Sequence, residues 1–108
     1  MGDTGAIIIF ITASSDEEAG NIAKTLVTEQ LAACVNIIDN VRSIFRWQGD
    51  VEDADEFLLV VKTRAELLDN LTVLVKQEHS YDLPEIIALL IVGGSKEYLN
   101  WIDSETTV

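Results

Sequence analysis

The sequence is poor in the residues that build the commonest functional sites. Its 108 residues include one cysteine, one histidine and one proline, and 7 Lys and Arg stand against 19 Asp and Glu, for a net charge of −12. A lone Cys34 cannot form a disulfide within the chain, which fits a reducing compartment. Nucleic acid needs clustered basic residues, and an anionic membrane surface repels a chain of this charge. We therefore predict neither nucleic acid nor membrane as a partner.

Long hydrophobic runs are also absent from the sequence. No apolar stretch reaches the ~18 residues of a membrane-spanning helix, and the first residues, MGDTGAIIIFITASS, carry no basic segment of the secretory type. Hydrophobic residues nevertheless make up 48% of the chain, which is enough for a folded core. We predict a single cytoplasmic domain that spans residues 1–108.

The hydrophobic pattern predicts alternating strands and helices. Capping boxes of Ser15 with Glu18 and of Thr63 with Glu66 are predicted to begin the two main helices. The predicted elements are a central strand at 6–12 that is covered on both faces, a helix at 16–31, a β-rich segment at 32–47 with a turn or bulge signal at Asp39-Asn40, a hairpin tip at 48–55, a strand at 56–63, a helix at 64–78, a strand at 85–92 and a short helix after Ser95. The order β-α-β-β-α-β predicts an α+β, ferredoxin-like fold with an antiparallel sheet, an extended hairpin and a short C-terminal helix.

The predicted hairpin is too long for the helices beside it. A strand of about 12 residues reaches ~40 Å, whereas a helix of about 15 residues is only ~22 Å long. The outer half of the hairpin carries Ile44, Phe45, Trp47 and Val51 with no helix to cover them. Apolar side chains in such a position usually belong to an interface. We therefore expect an oligomer in which a neighbouring copy pairs along this arm.

The segment HSYDLPE, residues 79–85, contains the only histidine and the only proline. Pro84 favours an extended residue before it and the start of a strand after it, so a turn between helix and strand explains the segment. The alternative is a ligand site in which His79 and Tyr81 are joined by Cys34 or by carboxylates from elsewhere. One His and one Cys cannot build a four-ligand zinc site, which leaves a loosely held Cu or Zn shared between subunits.

Catalysis has less support in the sequence. A Cys34–His79 pair needs hydrogen-bond contact, yet Cys34 begins an apolar strand, where a buried free cysteine is usual. Gly93-Gly94 lacks the lysine and the spacing of a phosphate-binding loop. We therefore predict that the protein is not an enzyme. Trp47 is either an interface anchor or part of a small-molecule cleft.

Separated segments of the chain resemble the CutA family, the divalent-cation tolerance proteins. They are LAACVNI at 31–37, SIFRWQGDVEDADEFLLVVKTR at 43–64, HSYDLPEIIALLI at 79–91 and YLNWI at 98–102. The resemblance implies a ferredoxin-like fold and a tight homotrimer, similar to the PII-type signalling proteins, in which hairpins and edge strands pair between subunits. It also implies a role in the response to divalent metal ions, with Cu(II) or another divalent cation weakly held and no securely assigned reaction.

The family's cleft between subunits, carried over by position, implies a set of ligand-cleft residues. They are Cys34, Trp47, Glu56, Lys62, Tyr81 and Glu85, with His79 as the metal ligand. The chain departs from the family pattern at Ser80 and Leu90, which replace prolines, and at Asp39-Asn40, where Pro-Gly is typical. The alternative function is a PII-like sensor or scaffold that binds a small anionic metabolite near Lys62 and the helix that follows Gly93-Gly94.

Overall fold

The computed structural model describes residues 4–106, so both ends of the predicted 1–108 domain lie outside the described residues. Its elements are strand β1 (Ala6–Ala13), helix α1 (Asp16–Thr28), strands β2 (Cys34–Trp47) and β3 (Asp50–Arg64), a 3-10 turn (Ala65–Leu67), helix α2 (Leu68–Glu78), strand β4 (Ile86–Leu90) and helix α3 (Lys96–Glu105). The predicted α+β, ferredoxin-like order is confirmed. Among these residues no helix combines the length and apolar character needed to cross a bilayer.

One face of the sheet forms the core with α1 and α2. The strands lie in the order β2-β3-β1-β4, and each neighbouring pair is antiparallel. Alternate residues of β1, such as Ile9 and Ile11, are fully buried against Ile22 and Leu26 of α1 and Leu71 of α2. Strand side chains alternate between faces and each helix has one apolar stripe, so this core lies on one side of the sheet only.

The opposite face of the sheet, called here the open face, is apolar as well. It carries Ile8, Phe10, Ile38, Leu58, Val60, Ile87 and Leu89. The sequence predicts a central strand covered on both faces, but Ile8 and Phe10 are only partly buried within the chain. Ile38, Ile87 and Leu89 are exposed. A contiguous apolar surface of this kind is typical of an interaction surface.

The hairpin of β2 and β3, called the arm, is longer than predicted because its tip is shorter. Residues 50–55, expected in the tip, belong to β3, and the turn consists of Gln48 and Gly49. Both have positive φ, 51° and 88°, the type I′ combination whose twist matches that of the flanking strands. The irregularity predicted at Asp39-Asn40 is confirmed as a β-bulge, with one extra residue on β2.

Two other boundaries differ from the prediction. Helix α1 ends at Thr28 and not at residue 31, because Gln30 adopts a φ of 59° and the Leu31 N–H bonds back to the Leu26 carbonyl at 2.9 Å. Strand β4 covers Ile86–Leu90, which is shorter than the predicted 85–92. The hydrophobic pattern of the sequence continues beyond the end of α1 and beyond the end of β4, so the pattern alone does not locate these boundaries.

Thr63 does not cap a helix, contrary to the prediction. It lies within β3, paired with Ile7 of β1, and its buried hydroxyl donates to the Leu31 carbonyl at 2.7 Å. The 3-10 turn intervenes before α2 begins at Leu68. The Thr-x-x-Glu spacing is local, whereas the length of β3 is set by its pairing with β1 across the sheet.

Arg64 ties the C-terminal end of helix α3, whose Ile102 is buried, to the end of β3. Arg64 donates through Nε to the Thr106 hydroxyl (2.8 Å), through Nη2 to the Thr106 carbonyl (2.7 Å) and through Nη1 to Glu66 (2.7 Å). Its side chain is mostly buried, so we expect Arg64→Met to lower the free energy of unfolding by about 2 kcal/mol. Chemical denaturation, with hydrogen exchange of the α3 amides, measures this loss.

The matched control for Arg64 is Arg42→Met. Arg42 pairs with Asp53 at 2.6 Å, and both side chains are exposed on the arm. Exposed ion pairs contribute little to stability, so no measurable change is expected. An equal loss in the two variants would contradict the role given to Arg64.

Candidate functional site

The turn between α2 and β4 lies against the arm and forms a cleft with it, called the arm cleft. The cleft has two adjoining parts of about 500 and 460 Å³ that share Phe45, Trp47, Tyr81 and Leu83. The first part adds Glu52, Ser80 and Asp82, and the second adds Thr12, Ser43, Ile44, Arg46, Glu56 and Glu85. Volumes of this size are typical of small-ligand sites.

Tyr81 and Glu56 form a hydrogen bond within the arm cleft. The Tyr81 hydroxyl donates to Glu56 Oε2 at 2.8 Å, and Glu56 is buried. Burial raises the pKa of Tyr81, and the bond to Glu56 together with the negative charges of Glu56 and Glu18 raises it further, to about 12. The phenol therefore keeps its proton at neutral pH and acts as a donor, not as a base.

His79 lies beneath Tyr81 with its side chain fully buried. Nε2 is 2.6 Å from the Thr12 carbonyl, to which it can only donate, and Nδ1 accepts from the Tyr81 N–H at 3.1 Å. These partners assign the neutral, Nε2-protonated tautomer. The structural role of His79 in the turn is thus clear. Its role as a metal ligand stays a prediction, and it requires the Nδ1 bond to Tyr81 to break.

Glu18 ties the start of α1 to the turn after α2. Oε1 accepts from the Ser14 N–H (3.0 Å) and hydroxyl (3.1 Å), and Oε2 accepts from the Ser80 N–H (2.8 Å). Partial burial by itself raises the pKa of Glu18, but the bonds from Ser14 and Ser80 outweigh it and lower the pKa to about 2. Half of the predicted capping box is confirmed, since Ser15 Oγ accepts from the Glu18 N–H. The carboxylate bonds to Ser14 and Ser80 instead of Ser15.

The residues implied for one ligand cleft fall into two groups within this chain. Trp47, Glu56, Tyr81 and Glu85 all line the arm cleft, and His79 packs against Tyr81 with ring centroids 4.7 Å apart. Cys34 and Lys62 instead pair with each other across β2 and β3. Lys62 is six residues from Glu56 along β3, a separation of ~20 Å.

Cys34 and Lys62 have their own polar neighbours. Lys62 Nζ donates to Asn36 Oδ1, and the Cys34 thiol lies 3.9 Å from the same oxygen. Burial, with the adjoining Cys34 thiol, raises the pKa of Tyr98. Sequence reasoning missed Asn36 and Tyr98, although alternation alone places Asn36 beside Cys34 on one face of β2.

Cys34 and His79 do not form a nucleophile–base pair. Cys34 is level with Ile8 of β1, because both pair with Lys62. His79 bonds to Thr12, four residues or ~13 Å further along β1. Between Thr4 and Thr106, no group of three or more His, Cys, Asp or Glu is arranged to hold a metal ion. Glu56 and Glu85 offer carboxylate oxygens in the arm cleft, so further ligands would have to come from water or another chain.

The chain is similar in sequence to curated proteins over most of its length. It is 48% identical over 99 residues to the divalent-cation tolerance protein CutA of Thermus thermophilus, a match that spans 92% of this chain and 96% of that protein. It is 44% identical over 101 residues to the chloroplastic CutA protein of Arabidopsis thaliana, covering 94% of this chain. The chain spans about half the length of that plant relative, 56%.

Solved structures of relatives share the fold. The Thermus thermophilus divalent cation tolerance protein matches with a TM-score of 0.93 and 47% identity, over 94% of this chain and 99% of that one. The periplasmic divalent cation tolerance protein CutA of Archaeoglobus fulgidus matches with a TM-score of 0.90 and 48% identity, over 93% and 97%. The ferredoxin-like architecture predicted from the sequence is therefore confirmed.

The predicted cytoplasmic location is wrong in the light of these relatives. The Arabidopsis protein is described as chloroplastic and the Archaeoglobus protein as periplasmic. The inference used one cysteine and the absence of a basic leader. Location is set by targeting segments outside the folded domain, so the composition of the domain carries little information about it.

The sequence model of the family described as CutA1 divalent ion tolerance protein matches residues 7–105. That range includes all four strands, apart from the first residue of β1, together with all the helices and the whole arm cleft. The segments that resembled the family in the sequence all lie within it. The chain therefore belongs to the CutA1 divalent ion tolerance family.

Proposed function

We propose that this protein acts in divalent-cation tolerance as a homotrimer, and that it holds a divalent cation weakly in clefts completed by neighbouring copies. The observation that carries the proposal is the open face, which presents apolar side chains from all four strands. The arm adds Ile44 and Val51, which are 64% and 68% exposed. Burying such surface between copies is favourable by about 25 cal/mol per Å².

The arm cleft supplies the ligand chemistry of the proposal. Glu56 and Glu85 lie on its second part, where Arg46 is the basic residue of the lining. Divalent cations accept carboxylate and imidazole ligands, and a net charge of −12 raises their local concentration. Binding is weak because a single chain offers few ligands, and ligands from a neighbour complete the set.

A binding role fits this site better than a catalytic one. The Tyr81 phenol stays protonated, both nitrogens of His79 are in use, and Cys34 lies at the other end of the sheet. The cysteine, histidine and tyrosine side chains that could act as nucleophile or base are therefore engaged or distant, which supports a non-enzymatic protein.

Calorimetry with Cu(II) on the assembled protein tests the cation site. Glu56→Gln/Glu85→Gln is expected to weaken binding by about tenfold or more, because both carboxylate charges are lost while the amide oxygen introduced at position 56 can still accept from Tyr81. Glu29→Gln/Asp69→Asn removes the same charge from exposed positions outside the cleft and serves as the control. An equal loss in the control would reduce the effect to general electrostatics. Loss of binding in His79→Ala alone, with the circular dichroism spectrum and the mass of the assembly unchanged, would assign the ion to His79 instead.

The second candidate function is a sensor of an anionic metabolite. It rests on Lys62, whose ammonium group bonds only to the neutral side-chain amide of Asn36 among the described residues. Within residues 4–106, Lys62 makes no ion pair, and its partner is the Asn36 side-chain oxygen. Its charge is therefore available to an anionic metabolite. A thermal-shift screen of nucleotides and organic acids with a chelator present separates the candidates, since stabilisation without metal would favour the sensor.

A further inference from the structure

The first part of the arm cleft combines aromatic rings with carboxylates. Phe45 and Trp47 are two residues apart on β2, so their rings lie on the same face of the arm. Glu52 is the cross-strand partner of Phe45 and shares that face. Tyr81 and Asp82 come from the turn on the other side of the cleft. Because Glu56 holds the Tyr81 hydroxyl, the Tyr81 ring is fixed in place.

We propose that this part of the arm cleft binds an organic ammonium ion, held by the rings of Phe45, Trp47 and Tyr81 and by the charges of Glu52 and Asp82. Aromatic ring faces attract cations, most strongly where water is excluded. An alkylated ammonium group is weakly hydrated and large enough to touch several rings at once. The volume of about 500 Å³ accommodates an ion of this size.

The lining selects this class over other ligands. It contains no lysine or arginine, so an anion would meet only negative charge, in a chain whose net charge is −12. A small inorganic cation binds mainly through oxygen ligands and would leave the three aromatic rings unused, whereas an organic ammonium ion contacts the rings and the carboxylates together. A neutral ligand of the same size would gain nothing from the exposed carboxylates of Glu52 and Asp82. The carboxylates of this site differ from the proposed cation ligands Glu56 and Glu85, although the two adjoining parts of the cleft share Tyr81 and Trp47.

Titration with tetramethylammonium tests the site, with Trp47 as the probe. The Trp101→Phe background leaves Trp47 as the only tryptophan, so its fluorescence reports on the cleft directly. We expect saturable quenching at millimolar concentration, and no saturation with tert-butanol, a neutral molecule of similar size. Sodium chloride at the same ionic strength is expected to give no saturable signal.

Two variants and one control complete the test. Glu52→Gln/Asp82→Asn and Phe45→Leu are each expected to weaken binding by about fivefold to tenfold. Glu29→Gln/Asp55→Asn, which removes two exposed acids outside this lining, is expected to change it less than about twofold. Equal weakening in the control, or saturation with tert-butanol, would overturn the proposal. Cu(II) binding retained by Glu52→Gln/Asp82→Asn separates this site from the divalent-cation site, so either can fail alone.

Discussion

Replacing Ile87 with aspartate is expected to convert the assembled protein into single folded chains. Ile87 lies on β4 within the open face, opposite Phe10 of β1, and is 53% exposed in the isolated chain. Because water already reaches it, an aspartate there costs the chain little stability by itself. In the proposed trimer the same carboxylate would be buried without a partner in every copy, a cost of several kcal/mol each.

Light scattering on Ile87→Asp tests whether the assembly dissociates, and far-UV circular dichroism tests whether the single chain stays folded. The mass should fall to that of one chain, 11.9 kDa, with the secondary structure retained. Val73→Asp is the matched control, because Val73 is 57% exposed on α2, outside the open face. If Ile87→Asp kept the mass of the assembly, the open face would not be the interface.

Replacing Glu18 with glutamine is expected to lower the free energy of unfolding at pH 7 by about 2 kcal/mol. The bonds from Ser14 and Ser80 favour the ionised carboxylate and hold the pKa of Glu18 near 2, below its ordinary value of 4.5. A lowered folded-state pKa contributes stability above the unfolded-state value. That contribution is lost as the pH falls from about 4.5 towards about 2.

Denaturation curves of wild type and Glu18→Gln between pH 7 and pH 2 check the sign. The two stabilities should differ at neutral pH and converge at the acid end. Glu17→Gln is the control, since Glu17 is an exposed acid in the same helical turn and contributes only a helix-dipole term. A difference between wild type and Glu18→Gln that stayed constant down to pH 2 would contradict the role given to the carboxylate.

Features that depend on local sequence were predictable. The β-branched run of β1, the Ser15 side of the cap and the irregularity at Asp39-Asn40 are each set by neighbouring residues, and the structure has all three. The excess length of the arm followed from simple lengths of strands and helices. The family resemblance rested on segments distributed along the chain.

Features that depend on distant partners were not predictable. Glu18 accepts a hydrogen bond from Ser80, 62 residues away, and Thr63 donates to the Leu31 carbonyl instead of capping a helix. The spacing of nearby residues in the sequence predicts neither contact. The separation of Cys34 and Lys62 from the arm cleft likewise follows from strand register, which becomes known only once the pairing of β2 with β3 is known.

The extra residue in β2 also decides which charges face the arm cleft. Side chains alternate along a strand, so an uninterrupted β2 would continue the face of Ile38 into Arg42 and Arg46. The insertion reverses the phase, and Phe45 and Trp47 stand there instead, on the side of Glu56. The one inserted residue in β2 thus determines which side chains of the arm face the cleft. A chain without it would turn both Arg42 and Arg46 towards the cavity in place of the two aromatic rings, and that cavity would favour anions.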